Sequence, residues 1–367
     1  MKIAVCFSSQ LRNYKLCLPR LRKKFTELLV NQGHTVDYFG SFSNNLSFGF
    51  KYYNRKFGIP KTGSFTEVNN GLLTVYNDWN FLIDKKEAYS FLMNHIQFKK
   101  LEILDNWNDP VKTSYTDGIY DREAVSEDGL SINQWYYAER SVSLMQEYEK
   151  ETNQEYDVII RMRPDMLLMY IDLLGITNTI NEPYHFKAGY VEVINGWPSI
   201  GDWNHIFGKQ AAKRYHNGLC QRLISGYNDM WLGKNDLKQS WGGNPPPETM
   251  WAYCTRGIGK CTLTTLGFGA MLCRQFIDKY YPDIDSITME QLCDYQFDIS
   301  LSNFAIEEYL NKITNYNVID DHYDQLRNYI DSNNINSLKL RENHFRDDHY
   351  LKTEESDTFN ILKDFKL

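Results

Sequence analysis

The sequence lacks the patterns that mark several common classes of protein. Its seven cysteines are an odd number at irregular positions and include no Cys-x-x-Cys pair. Neither a structural zinc site nor a disulfide framework is therefore indicated. No stretch approaches the roughly 18 to 20 apolar residues that span a bilayer, and the apolar run at the start is too short for a signal peptide. We expect reduced cysteines and a cytoplasmic location.

Several nucleotide-binding and hydrolase signatures are also missing. There is no Gly-x-Gly-x-x-Gly, Walker or Gly-x-Ser-x-Gly motif and no set of kinase motifs, which argues against ordinary dinucleotide dehydrogenases, P-loop enzymes and α/β hydrolases. Basic residues are outnumbered, 40 against 47 acidic ones, and the net charge is −7. A protein that binds nucleic acid through its overall field needs the opposite balance, although a local basic pocket is compatible with this composition.

What the chain does contain is typical of a folded α/β protein. Hydrophobic residues make up 42% and charged residues 24% of 367 residues, a length that suits one large domain with elaborations or two smaller ones. Aromatic residues reach 15%. Such rings fill cores, and they also form surfaces on which sugars and bases stack.

The amino-terminal region predicts a strand, a helix and a second strand. Residues 3–7 are a continuous apolar run, and residues 18–29 carry leucines and Phe25 at helical spacing. Pro19 suits the first turn of that helix and Gly33 its carboxyl cap. A strand over 35–39 follows, so this is a βαβ unit of a parallel sheet. Ligands of such sheets bind at the carboxyl edge of the strands.

Beyond this unit the pattern is uneven. Residues 41–128 predict loops and helices that cover the sheet, and residues from about 280 onward are acidic, rich in asparagine and periodic like a helix. The other predicted elements are a helix over 133–151, a strand over 156–163, strand content over 184–194, a helix over 208–224, a loop over 232–247 and a helix over 248–255.

The strongest candidate for chemistry is the segment from Arg161 to Asp165. Alternate residues of a strand share a face, so Arg161 and Arg163 lie together, opposite the apolar residues between them. If the chain stays extended through Pro164, Asp165 joins them. Two guanidinium groups and a carboxylate at a ligand crevice suit a diphosphate, with or without a divalent ion. The alternative is a structural Arg–Asp network.

A second candidate is the loop that is expected after the first strand, residues 8–12. Ser8 and Gln10 are small or polar residues that let the backbone approach a nucleotide, and Arg12 could reach a phosphate or a uracil edge. The alternative is an ordinary loop that leads into a helix and is capped by Ser9.

Five blocks of the chain, in this order, resemble small GT-A-type glycosyltransferases of bacteria, phages and large DNA viruses. The blocks are MKIAVCFSSQLR, VDYFGS, YDVIIRMRPDMLL, GDWNHIFG and PETMWAY. The resemblance spans about residues 1–275, and Arg-x-Arg-Pro-Asp is its most specific part. It implies a GT-A-like α/β fold with a Rossmann-type mixed sheet flanked by helices, and transfer of a sugar from a nucleotide-sugar donor to a hydroxyl acceptor such as a glycan.

The same resemblance implies a division of the chain. Residues 1–279 would form the transferase domain, with a nucleotide-binding half at about 1–168 and an acceptor half at about 169–279. Residues 280–367 lie beyond the resemblance, and their composition and helical periodicity predict a helical carboxyl-terminal extension and tail. Nothing in the sequence indicates a nucleic acid as partner.

The resemblance also implies roles for individual residues. Asp165 would stand for the Asp-x-Asp motif that holds Mn²⁺ or Mg²⁺, but Arg163 replaces the other carboxylate, so the arginines could instead neutralise the diphosphate unaided. Asp202 or Glu248 could be the general base that accepts the proton of the acceptor hydroxyl. Asp202 could equally bind the acceptor, and Glu248 could merely stabilise a helix start.

Two other functions are compatible with these residues. One is a non-catalytic nucleotide- or sugar-binding protein of the same fold. The other is a nucleotidyltransferase or phosphotransferase, which also needs arginines and a carboxylate around a diphosphate. The absence of paired carboxylates on a predicted strand makes this second alternative the weaker one.

Overall fold

A computed structural model describes residues 1–47, 50–54, 65–68, 72–75, 80–105, 129–188, 191–194, 197–201, 204–216, 251, 261–265, 268–273, 297–300 and 317–318. The strands are β1 (Lys2–Gln10), β2 (Thr35–Ser43), β3 (Asn45–Ser47), β4 (Phe50–Asn54), β5 (Phe65–Val68), β6 (Leu72–Val75), β7 (Asn80–Leu82), β8 (Lys100–Leu104), β9 (Val158–Met162), β10 (Met166–Ile171), β11 (His185–Ala188), β12 (Val191–Ile194), β13 (Trp197–Ile200), β14 (Asn204–Gly208), β15 (Thr262–Thr265), β16 (Phe268–Cys273), β17 (Phe297–Ser300) and β18 (Asn317–Val318). The helices are α1 (Tyr14–Leu21), α2 (Glu27–Asn31), α3 (Lys85–His95), α4 (Gly129–Thr152), α5 (Leu173–Asn178) and α6 (Lys209–His216), with a π-helical turn at Arg22–Thr26 and a 3-10 turn at Thr179–Asn181.

A seven-stranded mixed sheet forms the centre of the described structure, in the order β15-β11-β14-β9-β1-β2-β8. Strands β8, β2, β1 and β9 are parallel to one another. Strand β14 runs antiparallel to β9 and to β11. The predicted α/β class with a mixed sheet and flanking helices is thereby confirmed.

Helices cover both faces of this sheet. On one face, Val5, Phe7 and Ile160 belong to a core cluster with Leu18 of α1 and Leu92 of α3. On the other face α4 packs on β1 and β2. Because β1 is buried on both faces, its sequence is a continuous apolar run instead of an alternating one.

The amino-terminal βαβ unit is confirmed, with longer elements than predicted. The helical segment begins at Tyr14, so Pro19 lies inside α1 instead of in its first turn. The segment passes through the π-helical turn into α2. Gly33 has φ +82° and follows the end of α2, as expected of a residue that ends a helix in the left-handed region.

Two regions differ from the sequence-based expectation. Residues 41–128 were expected to hold only loops and helices, but they include β8, which extends the main sheet next to β2. Its sequence KLEIL mixes polar and apolar residues and gives a weak strand signal. The described residues of the predicted helical extension are strands, since β17 pairs with β16 and β18 pairs with β10.

A second, four-stranded sheet of order β17-β16-β10-β18 follows from β9 through β10. Met166 and Leu168 of β10 belong to the same core cluster as the main sheet. Within the described residues, no helix combines the length and apolar character needed to cross a membrane.

Candidate functional site

One face of the main sheet changes from apolar to polar along its strands. At the amino end this face carries Ala4, Cys6, Phe39 and Ile159. At the carboxyl end the polar side chains Ser8, Gln10, Ser41, Ser43 and Arg161 are all at most 2% exposed. Buried polar groups need hydrogen-bond partners, so this cluster makes the carboxyl end of the face the candidate site. The carboxyl edge is also where α/β sheets bind ligands.

Arg161 is the buried cation of this polar region. It lies on the central strand β9 and has no exposed area. Its Nε donates a hydrogen bond to Ser8 Oγ at 2.8 Å, across 153 residues of sequence. Its guanidinium carbon lies 5.6 Å from the centre of the Trp251 ring, within cation–π range. Ser8 and Arg161, two predicted site residues, are thus brought together.

His205 and Trp251 complete the surroundings of Arg161. His205 pairs with Arg161 in the antiparallel ladder of β9 and β14. Its ring lies 4.7 Å from that of Trp251 and 4.8 Å from that of Phe186. Its Nε2 is 2.8 Å from the carbonyl oxygen of Gly201. A carbonyl can only accept, so this nitrogen carries a proton.

Arg163 and Asp165 form a buried ion pair directly after β9. Arg163 Nε donates to Asp165 Oδ1 at 3.0 Å and its Nη2 donates to Oδ2 at 2.9 Å. The side chains are 9% and 1% exposed. The chain does not stay extended here, because Pro164 and Asp165 form the turn between β9 and β10. This turn brings the carboxylate back to Arg163.

The end of β1 differs from the loop that was predicted for residues 8–12. The strand continues through Gln10, because Ser8 and Gln10 pair in parallel register with Ser41 and Ser43 of β2. The turn itself is formed by Arg12 and Asn13, and Arg12 is only partly buried. Two residues that are not glycine have positive φ here, Ser9 at 145° and Asn13 at 51°.

A second polar group at this edge holds α4 against the sheet. Ser41 donates a hydrogen bond to Glu102 at 2.6 Å. Arg140 of α4 donates two hydrogen bonds to the same carboxylate, at 3.1 and 2.8 Å. These bonds to Glu102 raise the pKa of Arg140, so its charge is permanent. Ser41 is the register partner of Ser8, which places this network beside Arg161.

Asn204, the first residue of β14, is a site residue that the sequence analysis missed. It has no exposed area, and neither its Oδ1 nor its Nδ2 has a hydrogen-bond partner. It pairs with Met162 in the ladder, while Ile206 pairs with Ile160. Two polar residues and then two apolar ones begin this strand, so no alternating pattern in the sequence identifies Asn204.

The described residues do not fit a divalent metal held by Asp165. Both of its carboxylate oxygens accept hydrogen bonds from Arg163. Across the described ranges, no group of three His, Cys, Asp or Glu side chains could hold a metal ion. No chemical step is therefore assigned to a metal here. Asp202 and Glu248 lie outside the described residues, so their role as general base stays a prediction.

Comparison with known proteins gives no further assignment. No protein-family model matches the chain, and no curated protein matches it. The geometry of the carboxyl edge and the five sequence blocks are therefore the basis on which a function can be proposed.

Proposed function

We propose that this protein is a glycosyltransferase with a GT-A-like fold that moves a sugar from a nucleotide-sugar donor to a hydroxyl acceptor such as a glycan. The observation that carries the proposal is the pair of buried guanidinium groups, Arg161 and Arg163, at the carboxyl end of the central strand β9. A mixed α/β sheet presents them at the edge where such sheets bind ligands.

The chemistry of glycosyl transfer makes buried cations useful there. Negative charge develops on the departing nucleoside diphosphate as the bond to the sugar breaks. Fixed positive groups stabilise that charge most effectively where water is excluded. Guanidinium forks also match the geometry of phosphate oxygens, which an ammonium group does not.

The surrounding residues orient the two arginines. Ser8 accepts a hydrogen bond from Arg161 Nε, and the Trp251 ring packs against the same guanidinium. Asp165 holds the fork of Arg163 with two hydrogen bonds. We assign Asp165 to the positioning of Arg163, since the occupied carboxylate suits that role better than metal binding.

The proton of the acceptor hydroxyl needs a base. We propose Asp202 and Glu248 as the two candidates, because each carboxylate lies next to aromatic residues in its sequence block. Asp202 precedes β14 by two residues, and β14 starts at the carboxyl edge of β9.

Calorimetry with UDP-sugars and GDP-sugars, with Mn²⁺ or with EDTA, tests the proposal. We expect the protein to bind one of these donors and to release the intact nucleoside diphosphate. Arg161→Gln keeps a donor for Ser8 but removes the charge, and should weaken donor binding by about 10-fold or more. Arg22→Gln is the matched control, since Arg22 lies in the π-helical turn between α1 and α2 and donates to the carbonyl oxygen of His95 at the end of α3.

Three outcomes would contradict the proposal in different ways. If no nucleotide sugar binds, the assignment fails. If donors bind but are neither transferred nor hydrolysed, the chain is a binding protein. If a nucleoside monophosphate is released, the reaction is nucleotidyl transfer.

A further inference from the structure

Asn204 has a side chain that packing alone does not account for. Neither atom of its amide makes a hydrogen bond, and the residue has no exposed area. Its ladder partner Met162 and its neighbour on the same face, Ile206, are apolar and belong to the core cluster. An apolar side chain at this position would make the folded protein more stable than an amide does.

A buried amide without partners destabilises a folded protein, because it has lost its hydrogen bonds to water and gained none. Such groups are rare in folded proteins, and each calls for an explanation such as a catalytic role or a water, ion or ligand that binds there. An asparagine amide presents a carbonyl acceptor and an NH₂ donor side by side. It therefore suits a ligand group that offers the complementary pair.

The position of Asn204 indicates which ligand this is. Its ladder partner Met162 is the last residue of β9, and Arg163 follows directly. The next residue of β14, His205, pairs with Arg161. Asn204 thus lies at the same carboxyl edge as the two arginines, on the face of the sheet that it shares with Met162 and Ile206 and opposite the face that carries Arg161.

We propose that Asn204 is a donor-specificity residue whose amide binds the hydrogen-bonding edge of the nucleotide sugar. This inference rests on the proposed function. The complementary edge belongs either to the base or to neighbouring hydroxyl groups of the sugar.

The variant Asn204→Leu separates ligand binding from folding. Leucine has the same number of heavy atoms and removes the unsatisfied amide, so we expect the melting temperature to rise by roughly 2 °C. We expect the Kd for the preferred nucleotide sugar to rise by about 10-fold. Ile206→Val is the matched control on the same face, and it should lower the melting temperature without changing the Kd.

Calorimetry with the nucleoside diphosphate alone and with the whole nucleotide sugar locates the contact. A loss of affinity for both ligands assigns Asn204 to the base, and a loss for the nucleotide sugar alone assigns it to the sugar. Unchanged affinity in Asn204→Leu, while the wild type binds its donor, overturns the inference and leaves the proposed function standing. A lower melting temperature in this variant also overturns it, because the amide would then have a partner in the free protein. Absence of binding by the wild type overturns the proposed function itself.

Discussion

The buried ion pair of Arg163 and Asp165 leads to a prediction about two variants: one loses stability, and the other recovers stability without recovering ligand binding. Asp165→Asn keeps the shape of the side chain and one acceptor oxygen but removes the negative charge. The guanidinium of Arg163 then remains in a site where it is 9% exposed, without the carboxylate that now takes two of its hydrogen bonds.

The size of the effect follows from that burial. Removing one partner of a buried ion pair typically destabilises a protein by about 3–5 kcal/mol, because an uncompensated charge stays behind. Replacing both partners with apolar residues of similar size is often neutral or stabilising. We therefore expect Asp165→Asn to lose about 3 kcal/mol or more, and the double variant Arg163→Met, Asp165→Leu to regain most of it.

Urea denaturation at low and high salt measures both variants. A buried pair is screened little by salt, so the loss should be similar at the two ionic strengths. The matched control is Asp105→Asn, which breaks the exposed pair of Asp105 and Lys85 and should change stability little. The double variant should fold but bind nucleotide sugars weakly, since Arg163 is gone. An Asp165→Asn protein as stable as the wild type would refute the reasoning about the pair.

Two further predictions concern stability away from the arginines. Burial is the main cause that raises the pKa of Glu149 above its ordinary value of 4.5, so the folded state binds protons more tightly and stability falls as the pH rises above that value. Glu149→Gln keeps an acceptor for the Tyr156 N–H. It should raise the free energy of unfolding by up to about 1 kcal/mol at pH 7, and it should leave it unchanged below about pH 4, where the glutamate is protonated. An equal gain at both pH values in urea denaturation would contradict this. Gly208→Ala should lose about 1–3 kcal/mol in the same assay, because the new Cβ would collide with the backbone of Glu182 and Pro183; unchanged stability would show that this backbone shifts easily.

The parts of the fold that the sequence predicted share one physical property. Strands β1 and β9 are buried on both faces, and such strands need continuous apolar runs that are easy to recognise. Strand β8 lies at the edge of the sheet, and its Glu102 and Lys100 bind charged residues of α4. Its sequence therefore mixes polar and apolar residues, and local pattern does not distinguish it from a loop.

The candidate site was only partly predictable for a related reason. The residue types and the sheet edge followed from local sequence, so Ser8 and Arg161 were both expected near the ligand. Their hydrogen bond joins residues 153 positions apart, and no local rule pairs them. Whether Pro164 continued the strand or turned was also open, because its fixed φ is compatible with both. Because the chain turns there, the carboxylate of Asp165 accepts hydrogen bonds from Arg163.

Three unusual features lie together at the carboxyl edge of the main sheet: a positive φ inside a strand, a buried arginine and an unsatisfied amide. Positive φ values at Gln97 and Asn153 follow helix ends, where the left-handed conformation is usual. Ser9 has φ 145° within β1, where no such reason applies. Like the buried Arg161 and the unsatisfied Asn204, it lies at the edge formed by the carboxyl ends of β1 and β9 and the start of β14. Local violations that the rest of a fold tolerates are typical of functional sites, and these departures therefore support the proposal that a ligand binds at this edge.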